Sequence, residues 1–316
     1  MLNDVLLIGN GLNRCYYNDM AWGGLLEEIA KEHSITMNPN NTLPMEFECI
    51  VNQILKRTTS PSDTIYTDIK SSIVKRINSI KKTDNPLHKR FMNIPVHAVI
   101  TTNYDYLLER AYDDTDSWKI ACSKERQKGS SEKIHSINRY TTIKDRKFYY
   151  MHGELAEPES LCLGSVHYMR YVQEIEKSFN KGDTSISEKT DKKHIQTIMG
   201  SDIERNTWFD LFFNKNIHIV GLGLSLSEID LWWVITYRSF LYFTDKFDAR
   251  RNLKNRIYYY DIINNNENLS LKREKEVLKH NLTNQHVKYV PFHIENSNYK
   301  EGYEKICISI MNAIER

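Results

Sequence analysis

The chain has 316 residues, 40% of them apolar and 27% charged, which excludes a disordered or collagen-like polypeptide and allows a large buried core. Forty-three basic and 41 acidic side chains leave a net charge of +2, which argues against a protein that coats nucleic acid. The five cysteines, at 15, 49, 122, 162 and 307, contain no Cys-x-x-Cys pair, so neither a zinc ribbon nor a redox motif is indicated and a reduced, cytoplasmic setting is expected.

An apolar run, Val5 to Ile8, begins almost at the N-terminus and leaves no charged and apolar leader of the secretory kind. It runs into Gly9, Asn10, Gly11, Leu12 and Asn13, after which residues 24–33 carry Leu25, Leu26 and Ile29 at helical spacing. Residues 35–93 lack the alternation of a strand. They place Ile50, Ile54 and Leu55, then Ile69, Ile73, Val74, Ile77 and Ile80, at intervals of three and four, which predicts a helical insertion.

A second apolar run over 96–101 leads into Thr102, Asn103, Tyr104 and Asp105, and a helix is expected over 106–112 with Asp105 as its cap. Residues 123–146 are polar and read as loop. The strand over 147–151 then delivers His152 and Gly153. A second helical insertion is expected from 165 to 214, where Val166, Met169, Val172, Ile175 and Phe179 share one face and 181–193 form a flexible tip.

Strands over 217–221, 256–263 and 287–292 alternate with helical patterns over 269–282 and 299–314. Residues 217–243 are the most apolar stretch, but Glu228, Asp230 and Arg238 interrupt it, so it fails the test of about 18 uncharged residues for a membrane span. The order of elements predicts an α/β fold: a doubly wound, mostly parallel sheet of about six strands with helical insertions. One domain over 1–316 is expected, with a core built from 1–34, 94–164 and 215–316 and inserts over 35–93 and 165–214.

Four strand ends carry the chemistry. Gly9 and Gly11 permit close backbone approach to a pyrophosphate, although Arg14 stands where a dinucleotide fingerprint has its third glycine. A glycine turn that merely joins strand to helix reads equally well there. Asn103 can hold a ribose hydroxyl or a water but cannot titrate, Asp105 offers a carboxylate or a helix cap, and His152 suits a general base or a structural role. After the late strand, Gly221, Gly223 and Ser225 offer further room for ribose or phosphate. Glu228 and Asp230 read as acids in a first helical turn, and Trp232, Trp233, Tyr237 and Phe240 as core or subunit contact.

These residues resemble the sirtuin superfamily, in particular the bacterial sirtuin-like proteins of antiphage defence. Gly9-Asn10-Gly11-Leu12-Asn13 is similar to the family's Gly-Ala-Gly-x-Ser turn, with Asn13 in place of serine, and Thr102-Asn103-Tyr104-Asp105 to its Gln-Asn-x-Asp element. His152-Gly153 resembles the catalytic His-Gly, and Gly223-Leu224-Ser225 the later Gly-Thr-Ser loop. The four-cysteine zinc module of the deacylating members has no counterpart in the cysteine spacing.

The resemblance implies a Rossmann-like core and a regulated NAD glycohydrolase that releases nicotinamide and ADP-ribose and depletes NAD in defence. It implies Asn103, His152 and Asp105 as catalytic residues, with Gly9, Gly11, Asn13, Thr102, Gly221, Gly223 and Ser225 around the dinucleotide, and no metal. A homo-oligomer or a regulatory or sensor protein is the expected partner, with neither membrane nor nucleic acid. A zinc-free deacylase or ADP-ribosyltransferase, and a non-catalytic subunit that binds NAD or ADP-ribose, stay open as alternatives.

Overall fold

The computed structural model describes residues 2–17, 21–58, 64–80, 85–113, 115, 117–123, 136–180, 194–199 and 207–315. Seven strands form one sheet: β1 (Asp4–Ile8), β2 (Ala98–Thr101), β3 (Tyr140–Ile143), β4 (Arg146–Tyr150), β5 (Asn216–Val220), β6 (Ile257–Asn264) and β7 (Lys288–Ile294). Their order is β3-β4-β2-β1-β5-β6-β7. All neighbours are parallel except the edge hairpin β3–β4. The chain moves outward on one side from β1 through β2 to β4, then returns to lay β5 on the other side of β1, so the order reverses between β1 and β5. In open α/β sheets ligands sit outside the carboxyl ends of the strands at such a reversal.

The helices, in chain order, are α1 (Gly11–Arg14), α2 (Trp22–Glu32), α3 (Leu43–Arg57), α4 (Ile65–Ser79), α5 (Pro86–Met92), α6 (Leu107–Tyr112), α7 (Ser117–Ser123), α8 (Ser165–Asn180), α9 (His194–Ile198), α10 (Leu211–Asn214), α11 (Ile229–Thr244), α12 (Ala249–Asn252), α13 (Leu269–Asn284) and α14 (Tyr299–Ile314). Pro44 in the first turn of α3, and the Asn268 and Asn298 side chains that accept from Leu271 and Glu301 N–H groups at the starts of α13 and α14, fix where these helices begin.

Both faces of the sheet are covered, which is why β1 reads as an unbroken apolar run rather than an alternating one. Val5 and Leu7 point into one layer with Ala98, Ile100, Tyr149, Tyr171, Trp208 and Leu231. Leu6 and Ile8 point into the other with Phe91, Val99, Phe148, Ile306 and Ile310. A third cluster, of Leu26, Ile29, Phe47, Ile50, Val51, Ile69 and Ile73, packs α2, α3 and α4 together beside Leu107, Leu161 and Leu163. The 35–93 stretch is helical wherever it is regular among the described residues, in keeping with its spacing.

One expectation needs correction: the polar stretch over 123–146 read as loop contains β3, which brings the sheet of about six strands to seven. The connection of β3 to β4 is only Lys144-Asp145, with Ile143 opposite Arg146 and Lys144 at a φ of 54°. Tight hairpins usually announce themselves by glycine or asparagine at such a position, and this one carries neither. The helix expected over 24–33 is α2, and the four-residue α1 lies between it and β1. Residues 124–135 and the expected flexible tip over 181–193 lie outside the described residues.

Candidate functional site

The strands that carry the four motifs, β4, β2, β1 and β5, are consecutive in the sheet. Thr101 pairs with Tyr150 and with Ile8, and Ile8 pairs with Val220, so the four strands end level. Asn103 and His152 each stand two residues beyond the paired Thr101 and Tyr150. The loops that carry them therefore leave neighbouring strand ends, which lie about 4.8 Å apart.

The Asn103 loop is held from beneath by a threonine. Thr101 Oγ1 donates to the Ile8 carbonyl at 2.9 Å and accepts from the Asn103 N–H at 3.0 Å. The Asn103 side chain is buried, its Nδ2 donates weakly to the Gly9 carbonyl at 3.4 Å, and its Oδ1 is enclosed without a hydrogen-bond partner among the described residues. Thr102, the hydroxyl expected to serve the ligand, is half-buried and gives its N–H to Ile8 O at 3.4 Å.

His152 is buried with a polar partner that its strand does not supply. Its Nε2 lies 2.9 Å from Oδ2 of Asp230, whose side chain is fully enclosed in the first turn of α11. The Tyr168 ring of α8 meets the imidazole edge-on at 5.1 Å between centroids. Burial lowers the pKa of His152, but the charge and hydrogen bond of Asp230 and the charge of Glu228 outweigh it, and the pKa is raised. Glu228 is half-buried, yet its Oε2 is enclosed and unpartnered. Burial raises its carboxyl pKa to about 7 against the opposing influence of His152, and the Asp230 charge adds to the rise.

Asp105 and Asn13 meet each other. Asn13 Nδ2 donates to Asp105 Oδ2 at 2.7 Å, Leu107 N–H donates to Asp105 Oδ1 at 2.9 Å, and Asn13 Oδ1 sits 2.8 Å from Nε2 of His88. An amide oxygen only accepts, so His88 carries its proton on Nε2. All three side chains are buried. Asp105 is not the cap of α6, which is Tyr106, but accepts from the first N–H of that helix from one position earlier, and the Asn13 amide is spent on joining the segment after β1 to the loop after β2.

The glycines bring two loops into backbone contact. Gly9 N–H donates to Val220 O at 2.9 Å and Gly11 N–H to Gly221 O at 2.7 Å. A Cβ on Gly9 would stand 2.6 Å from Gly221 O, and one on Gly11 would stand 2.1 Å from the Tyr303 hydroxyl. Gly221 has a φ of +66°, in the left-handed region where a side chain is strained. Beyond it, Gly223 and Ser225 are exposed, and the Ser225 hydroxyl sits 2.6 Å from that of Ser227.

The structure thus joins Asn103 to Gly9 and the β1 loop to Gly221, sets His152 against Asp230 past the neighbouring strand end, ties Asp105 to Asn13, and leaves Gly223 and Ser225 exposed. Asp230, Glu228, His88 and Thr101 were not singled out for these positions. A Gly-Leu-Ser loop followed by two acids gave a signal for Asp230, but helix capping explains such acids equally well in sequence. Among the described residues no group of His, Cys, Asp and Glu is placed to hold a metal ion, and no helix is long and apolar enough to cross a membrane.

Residues 97–197 match the SIR2-like domain model. That segment contains Asn103, Asp105 and His152 but neither glycine loop. The chain is also similar to NAD(+) hydrolase ThsA of Bacillus cereus (strain MSX-D12), at 28% identity over 174 residues, 54% of this chain and 32% of that protein. It therefore aligns with about a third of that relative's length. The domain match falls on the strand ends that lead to Asn103 and His152, within a mostly parallel α/β sheet, and over that segment the chain is similar to SIR2-like domains.

Proposed function

We propose that this protein hydrolyses the nicotinamide–ribose bond of NAD, giving nicotinamide and ADP-ribose. The observation that carries the proposal is the buried, unpartnered Oδ1 of Asn103 beside the end of the strand that bears His152. A buried acceptor without a partner costs about 1–3 kcal/mol, and a ribose hydroxyl or a water donating to it would remove that cost. Similarity to an NAD(+) hydrolase supports the choice of substrate.

Nicotinamide is cationic while attached and leaves neutral, so the reaction needs no acid at the leaving group. What it needs is a held ribose, a placed water and a proton acceptor. Asn103 Oδ1 supplies the first contact and His152 the acceptor. The adjoining loops at Gly9, Gly11 and Gly221, on the reversal between β1 and β5, are assigned to the ADP portion, with Gly223 and Ser225 at its solvent side. Asp105 and Asn13 are assigned to fixing the Asn103 loop, in place of direct contact with the dinucleotide.

Such an activity drains NAD, so its biological reading is a defence effector restrained until a partner, an assembly step or a small-molecule signal releases it. The chemical test is mass spectrometry of the products formed from NAD. Free ADP-ribose with stoichiometric nicotinamide supports hydrolysis. O-acyl-ADP-ribose or a modified protein would assign the site to transfer, and NAD recovered intact after tight binding would assign it to a non-catalytic subunit.

A further inference from the structure

The loop after β5 and the start of α11 add two acids, Glu228 and Asp230, that the reaction sketched above does not use. Asp230 is fully enclosed, and one of its oxygens is 2.9 Å from His152 Nε2 while the other, Oδ1, has no partner among the described residues. An ionised carboxylate can only accept, so the proton of a neutral His152 resides on Nε2 and its lone pair on Nδ1.

We propose that Asp230 is the positioning residue of this site, fixing His152 in the Nε2–H form so that Nδ1 is the atom that takes a proton during the reaction. The assignment rests on the hydrolase reading and adds a residue to it. In the step itself, water forms its new bond to the ribose carbon as the bond to nicotinamide breaks. The proton released by that water passes to His152 Nδ1, and the resulting imidazolium is balanced by Asp230 through the unbroken Nε2–H contact. Solvent then removes the proton.

Purely structural pairing is the competing account, because the contact also fastens α11 to the strand end. Two features favour positioning. A buried ion pair contributes little net stability, since the loss of solvation offsets most of the attraction. The surroundings also isolate the pair. Among the described residues, the titratable groups around the His152–Asp230 pair are Glu228 at the start of α11, Tyr168 and Tyr171 from α8, Tyr104 from the loop after β2 and Cys162 from the loop after β4. Burial pushes Tyr104, Tyr168, Tyr171 and Cys162 well up, so they stay neutral in the working range. The carboxylates are left as the groups that tune His152.

Long-range proton–nitrogen NMR of the full chain labelled at histidine, recorded across pH without NAD, tests the assignment beside NAD turnover for wild type and Asp230→Asn. Wild type is expected to show the Nε2–H form of His152 titrating above 6.5. In Asp230→Asn, whose amide can donate to Nε2, the midpoint should fall and turnover should drop by about 100-fold, with the pH profile displaced to lower pH. A wild-type Nδ1–H form overturns the proposal whether or not the variant folds. So does a folded variant with unchanged midpoint and pH profile. The NMR arm is read without substrate, so a wild type with the expected form but no nicotinamide release contradicts the hydrolase reading alone.

Discussion

Asn103 and His152 follow adjacent parallel strands, each two residues past the pair formed by Thr101 and Tyr150. The register is enforced by the side chains of β2, apolar Ala98, Val99 and Ile100 with Thr101, all enclosed within the covered sheet. A slip of one residue would exchange the two faces, so the level at which the two loops leave the sheet is as well specified as the core itself. Asn103→Ala is expected to lower kcat at least about 100-fold by removing a group that orients the ribose. Its thermal midpoint should stay close to wild type, because the lost Nδ2 contact is weak and the lost Oδ1 is unpartnered. Steady-state kinetics and calorimetry on the same preparation check both halves.

The relay from His88 through Asn13 to Asp105 gives stability a defined acid limb. Burial lowers the His88 pKa to about 4, below the 6.5 of a free imidazole. The unfolded chain therefore binds the proton first as pH falls, so stability drops between about 6.5 and 4 and returns as pH rises. A shift of this size corresponds to about 3 kcal/mol over that window. Urea unfolding of wild type and His88→Gln at pH 7 and pH 4.5 should show the variant losing less stability on acidification.

Glu228 acts in the opposite sense. Its folded pKa is raised to about 7, so the native state keeps a proton that the unfolded chain gives up near 4.5. The stabilising influence is complete below that lower value and fades as pH rises through 7. Glu228→Gln is accordingly expected to raise the thermal midpoint at pH 8 relative to wild type, with the difference shrinking at pH 5. Differential scanning calorimetry at the two pH values measures it.

The contact between the β1 and β5 loops leaves no room for side chains. Gly221→Ala should lose about 1–2 kcal/mol, because its φ of +66° places Cβ against the following carbonyl. Gly11→Ala should lose more, since its Cβ would collide with the Tyr303 hydroxyl at 2.1 Å and with Gly221 Cα at 2.8 Å. Chemical denaturation of the two variants ranks them.

The elements that position the site were legible wherever one pattern dominated. Val5 to Ile8 and Val96 to Thr101 read as buried strands because both faces are covered, and α13 and α14 read as helices from their spacing. The β3 strand was hidden by its polar composition and by the Lys144-Asp145 turn. At the candidate site, the positions of Asn103 and His152 just past strand ends were legible because each follows an apolar run directly. Asp230 was not, because its partner lies 78 positions away and nothing local distinguishes a carboxylate that caps a helix from one that grips an imidazole. Asn13 was misleading for a related reason: an amide in a glycine turn suits a phosphate, but the long-range contacts to Asp105 and His88 claim it.

The most direct measurement is nicotinamide release from NAD by wild type, Asn103→Ala and His152→Ala, all verified as folded, with activation sought across protein concentration. The account predicts free ADP-ribose and nicotinamide from wild type and the loss of both in each variant. Equal turnover in the variants, or a wild type that binds NAD and returns it uncleaved under every condition, would contradict it.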